Sequence, residues 1–144
     1  MTCIQLLRII VLSSCIAGSS ANTLKPFTTD GCSMFPDSAG PLDWTHCCVT
    51  HDLAYWRGGT AEQRRMADQQ LAQCVHQQTQ NSQLAQAMYQ GVRLGGSPYS
   101  LAPYRWGYGW ESARFYQPLT VDELALAAFL EAQYWQLKTQ VTTK

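Results

Sequence analysis

The run Cys47-Cys48-Val49-Thr50-His51-Asp52-Leu53-Ala54-Tyr55, with Asp68 and Cys74 further along, constrains the fold of this chain more than any other stretch. Spacing of four puts Cys47, His51 and Tyr55 on one face of a helix, with Cys48 and Asp52 on the adjoining face. Two chemistries can therefore meet two different neighbours. Arg57-Gly58-Gly59-Thr60 ends this first helix, because glycine accepts the left-handed geometry of a helix C-terminus, and Thr60 with Gln63 forms a capping box that opens a second helix. The expected unit is a tight antiparallel helix pair. At a rise of roughly 1.5 Å per residue, His51 lies about 10 Å before the turn and Asp68 about 12 Å after it, so the two meet at similar height.

Met1 to Ala21 reads as a signal peptide: Arg8 precedes an apolar run, and Ser19 and Ala21 supply the small residues a leader peptidase needs. A lipoprotein box ending at an acylated Cys15 is the lesser alternative. Residues 22–144 then form one domain with one modest core, secreted or periplasmic, and no stretch there approaches the ~20 apolar residues that span a bilayer. Ten basic residues balance ten acidic ones. That leaves no field to gather nucleic acid, and a monomer that finds partners by shape or apolar contact is expected.

Without the leader four cysteines remain, Cys32, Cys47, Cys48 and Cys74, an even number that argues for two disulfides in an exported small domain. Adjacent cysteines rarely bridge each other, so Cys32 and Cys74 each take one of the pair. If the His51 face meets the second helix, Cys47 pairs with Cys74 and Cys48 with Cys32. Asp68 and Cys74 are six residues apart and diverge by roughly 120° on an ideal helix, which a steep crossing of the two helices would absorb.

A histidine near its ordinary pKa can take a proton from water if a carboxylate holds its tautomer, and Asp68 is placed to do so. No serine stands beside the pair, so water is the natural nucleophile. Tyr55 is positioned to hold Asp68 through its hydroxyl. Asp52 points toward the cystine-tethered loop, where one carboxylate and backbone carbonyls would make a hard oxygen site suited to calcium.

With these residues in view, the chain resembles the secreted phospholipase A2 family, whose motif is Cys-Cys-x-x-His-Asp-x-x-Tyr with an aspartate six residues before a helix cysteine. Asp30-Gly31-Cys32-Ser33 and Pro36-Asp37 resemble its compact microbial branch. The resemblance spans about Asp30 to Val75. It implies a small, mainly α, disulfide-stapled domain in which His51 is the general base, Asp68 its orienting partner, Tyr55 a support and Asp52 the calcium carboxylate. It places loop-carbonyl ligands at Gly31, Ser33 and Phe35. The family's glycine-rich loop is absent here, which leaves Asp30 or Asp37 as an alternative second carboxylate. Ala54 also replaces a family cysteine, and no β-wing fits between the helices. The implied reaction is calcium-dependent hydrolysis of the sn-2 ester of a glycerophospholipid.

Ser82 to Arg93 is a predicted third helix with Leu84, Ala87, Met88 and Val92 at helical spacing. Thr120 to Glu123 is a second capping box opening a packing helix to about Lys138, with Leu124, Leu126, Ala127, Leu130, Tyr134 and Leu137 apolar. Between them the aromatic segment Tyr99 to Tyr116 either wraps the small helical core or supplies peripheral membrane contact, expected through Trp106 and Trp110. Two alternatives stay open: a non-catalytic lipid- or protein-binding module on the same scaffold, and a zinc site among His46, Cys47, Cys48, His51, Cys74 and His76.

Overall fold

A computed structural model describes residues 22–142 of the chain. The expected leader at 1–21, with Cys15, lies outside the described residues. A two-residue strand pair, β1 (Ser38–Ala39) and β2 (Leu42–Asp43), precedes four helices: α1 (Thr45–Arg57), α2 (Ala61–Thr79), α3 (Ser82–Gly95) and α4 (Val121–Thr142). The strands run antiparallel, with Ser38 opposite Asp43 and Ala39 opposite Leu42. The sequence carried no strand signal there, because the turn at Gly40-Pro41 leaves two residues a side, too few to show alternation.

The helix boundaries follow local chemistry. Gly58, with φ of 71°, closes α1 by donating its N–H to the Ala54 carbonyl. Both halves of the α2 capping box form: Gln63 N–H reaches Thr60 Oγ1 at 3.2 Å, and Thr60 N–H reaches Gln63 Oε1 at 2.8 Å. Gln80 ends α2 in the left-handed conformation, and the Asn81 side chain then caps α3. Glu123 and Thr120 cap α4 reciprocally in the same way as the α2 box.

Contacts between α1 and α2 pair Tyr55 with Arg64, His51 with Asp68 and Cys47 with Cys74, so the two helices run antiparallel. The disulfides are Cys32–Cys48 and Cys47–Cys74. They are the pairing expected if the His51 face of α1 meets α2. The α1–α2–α3 core is built on Trp44, Leu71, Val75, Ala85 and Met88 packed around the cystines. On the other side of α1, Val49, Leu53 and Trp56 pack with Leu24, Phe27 and Trp110.

The segment after α3 straps the hairpin. Trp106 Nε1 donates to the Gly59 carbonyl at 2.9 Å, Trp110 Nε1 to the Arg57 carbonyl at 2.8 Å, and Gly107 N–H to the Tyr55 carbonyl at 2.6 Å. Gly107 approaches so closely that a Cβ on Gly58 would lie 2.9 Å from its Cα, and both glycines have positive φ. α4 packs on this strap through Ala127, Leu130 and Tyr134, with Arg57 and Glu131 paired at 3.1 Å. Leu124, Leu126 and Leu137, expected as packing residues, are exposed. None of the described helices is long and apolar enough to cross a membrane.

Candidate active site

His51 and Asp68 face each other across the helix pair, both buried, with His51 Nε2 2.9 Å from Asp68 Oδ1. Tyr55, one turn on from His51, donates its hydroxyl to the same oxygen at 2.8 Å. The aspartate therefore receives the imidazole through Nε2, leaving Nδ1 on the side of Asp52, whose Oδ1 lies 3.9 Å away, a charge contact rather than a hydrogen bond. The catalytic trio expected from helical spacing, His51, Asp68 and Tyr55, is thus one hydrogen-bonded group.

Two arginines complete the group, and the sequence pattern did not mark them. Arg93, from the last turn of α3, donates Nη1 to Asp68 Oδ2 at 2.6 Å. Arg64, buried on α2, donates Nε to Tyr55 Oη at 3.0 Å and its Nη2 to the Val92 and Arg93 carbonyls. The only local signal was a pair of cations on predicted helices, one at a C-terminus where cations are ordinary.

The electrostatics follow from burial set against partners. Burial alone would raise the Asp68 carboxyl, but hydrogen bonds from His51, Arg93 and Tyr55 outweigh it and hold the group below the usual carboxylate range. Burial would likewise depress His51, and the Asp52 and Asp68 carboxylates overcome it and raise the imidazole above its ordinary value. Burial, reinforced by the Asp68 charge, pushes the Tyr55 hydroxyl up, so it stays a proton donor to the carboxylate.

A cavity of about 320 Å³ opens in front of His51 and Asp52. Phe35, Leu71, Met88 and Val92 give it an apolar wall, and Met34 and Tyr104 stand at its mouth. Glycines keep the α3 side open: a Cβ on Gly91 would lie 3.1 Å from the Phe35 ring, and one on Gly96 would lie 2.8 Å from Tyr55 Oη.

The loop expected to bind metal lies along this cavity, with Gly31, Ser33 and Phe35 lining it beside Asp52. Gly31 and Ser33 both have positive φ, 80° and 53°. Thr29 donates its hydroxyl to Asp52 Oδ2 at 2.6 Å and receives the Gly31 N–H at 3.1 Å. Asp37 Oδ1 accepts the Cys32 N–H at 2.8 Å, and Asp30 Oδ1 accepts the Ser33 hydroxyl at 2.8 Å. Each of the alternative carboxylates, Asp30 and Asp37, thus spends one oxygen on shaping the loop, as Asp52 does on Thr29. With Cys32 and Cys48 joined, neither sulfur is a thiolate, and the Asp52 carboxylate beside this loop is a donor of the kind a hard divalent cation such as calcium takes.

Two expectations are corrected. Trp106 and Trp110 are 2% and 1% exposed and spend their indole N–H groups on backbone carbonyls, so neither ring can meet a lipid surface. Their amphipathic chemistry serves the hairpin turn. The zinc arrangement also fails: donor atoms of His46, Cys47 and Cys74 gather within 4.8 Å, but both sulfurs belong to one disulfide and are not thiolates.

No protein-family model, curated protein or solved structure matches this chain.

Proposed function

We propose that this chain is an exported, calcium-dependent phospholipase A2-type hydrolase that cleaves the sn-2 ester of glycerophospholipids into lysophospholipid and fatty acid. The observation that carries the reading is the buried His51–Asp68 pair at 2.9 Å beside a cavity with an apolar wall. With Nε2–H donated to Asp68, His51 Nδ1 is the free base. It removes a proton from water as the water attacks the ester carbonyl, and returns that proton to the leaving alkoxide. Asp68 fixes the tautomer and stabilises the imidazolium, Tyr55 holds Asp68, and the walls at Leu71 and Met88 exclude solvent around an acyl chain. Asp52, with the backbone at Gly31, Ser33 and Phe35, would hold the calcium, which when bound supplies positive charge for the phosphate and the developing oxyanion.

Lipid contact is assigned to the cavity rim instead of the buried tryptophans. Met34 is 85% exposed, and its sulfur lies 3.9 Å from the Tyr104 hydroxyl across the mouth. Leu94, Tyr99 and Leu101, close to Tyr104 in sequence, are also exposed. Two disulfides and the lack of a membrane-length helix among the described residues are compatible with export.

The direct test is fatty-acid release from phosphatidylcholine vesicles, with calcium and with a chelator. Calcium-dependent release by the native chain, lost in His51→Gln, supports the hydrolase. Vesicle binding without release would instead favour the non-catalytic module, and a fully active His51→Gln chain would overturn the assignment of the base.

A further inference from the structure

Asp68 is fully buried, and a buried carboxylate is stable only when its lone pairs are answered. The two oxygens are answered by different parts of the fold. Oδ1 takes the His51 ring and the Tyr55 hydroxyl, both from α1. Among the described residues, Oδ2 has one hydrogen-bond donor, Arg93 Nη1 at 2.6 Å, from α3. Arg64 Nε stays 3.9 Å from Oδ2, its guanidinium being used on Tyr55, Tyr116 and two α3 carbonyls.

We propose that Arg93 is a positioning residue: it fixes Oδ2 from a third helix so that Oδ1 is presented to His51. This deepens the hydrolase reading and rests on it. The terminal torsion of an aspartate is soft and two-fold, so two donors on one oxygen leave the carboxylate plane free to swing about that anchor. A guanidinium on the second oxygen removes the swing and keeps the group ionised, so that it orients the imidazole without taking its proton. Arg64 supports the arrangement by holding the carbonyls of Val92 and Arg93, which fixes the backbone that carries the Arg93 side chain.

The Arg93 side chain is 31% exposed, which gives small solutes a route to the position. That permits chemical rescue. In the full chain with calcium and phosphatidylcholine vesicles, Arg93→Ala should lower kcat by about 10- to 100-fold with KM nearly unchanged, as for other residues that orient a functional group by holding its hydrogen-bond partner. Millimolar guanidinium ion should restore part of the loss in Arg93→Ala and leave the native chain unaffected. Arg93→Lys, which keeps the charge and part of the contact, should fall between. Independently of turnover, the low-field proton resonance of the His51 ring N–H should be sharp in the native chain and in Arg93→Lys, and displaced or broadened in Arg93→Ala. A native-like resonance and kcat in Arg93→Ala overturn the proposal, as does a loss that guanidinium leaves unrescued and that falls on KM. An inactive native chain would remove the hydrolase reading alone, because the resonance still decides what Arg93 does.

Discussion

The Thr29 hydroxyl donates to Asp52 Oδ2 at 2.6 Å while accepting the N–H of Gly31, so one side chain joins the carboxylate on α1 to the backbone of the loop beside it. Thr29→Val keeps the shape and removes both contacts. Calcium affinity, measured by competition with a chromogenic chelator, should weaken by on the order of 10-fold, in line with loss of an outer-shell partner. Unchanged affinity would show that Asp52 needs no such tether or is not a ligand.

Lipid contact should divide cleanly between rim and core. Met34→Asp places a charge at an 85% exposed position and should reduce sedimentation of the chain with phosphatidylcholine vesicles without altering its thermal unfolding. Trp110→Ala should act in the opposite way, costing about 3–5 kcal/mol in urea unfolding as expected for a buried indole. Vesicle binding that depends on Trp110 in a folded chain would reverse the assignment.

The two disulfides close loops with sequence separations of 16 and 27 residues. Chain-entropy arguments give each roughly 3 kcal/mol or somewhat more. Replacing Cys32 and Cys48 together by serine should lower stability by about that amount and also free the loop that carries Gly31 and Ser33, so calcium affinity should fall with it. Denaturant unfolding and calcium titration of the same variant test both halves.

The lowered pKa of Asp68 gives a signed dependence on pH. A carboxyl whose folded pKa lies below its ordinary 3.8 contributes its full stability above that value and loses it as pH falls through the folded pKa. His51 is raised above 6.5 and is protonated in both states across that acid window, so it adds no slope there. Native stability to urea should therefore fall as pH drops below about 3.8. Asp68→Asn should be less stable near neutrality and flatter across the same window, and equal slopes would remove Asp68 as the origin.

What was legible in the sequence was what short periodic spacing encodes. The His51–Tyr55 face, the Thr60–Gln63 box and the glycines at the turn set the hairpin, and the hairpin brings Asp68 to His51. The divergence of Asp68 from Cys74 is accommodated because Asp68 is buried between the helices while Cys74, half-buried at the flank, reaches Cys47 with a Cα–Cα distance of 5.7 Å. Arg93 and Thr29 were not legible: they meet Asp68 and Asp52 across 25 and 23 residues, and no local pattern distinguishes an arginine that turns inward from one that faces water. The aromatic segment allowed two readings, core wrap or membrane contact, for a related reason. An indole suits a wet boundary and a buried carbonyl equally well, and only the carbonyls of Arg57 and Gly59, left over at the helix turn, decide between them.

The strap from Trp106 to Trp110 is also late in the chain, 47 residues beyond the turn it grips in the case of Trp106 and Gly59. Synthesis is vectorial, so every reactive group at the site emerges before the latch that steadies them. A product cut short ahead of Trp106 would carry the histidine, both aspartates and all four half-cystines, yet lack the piece that seals the hairpin. The part that grips the hairpin turn is therefore made after the parts it grips.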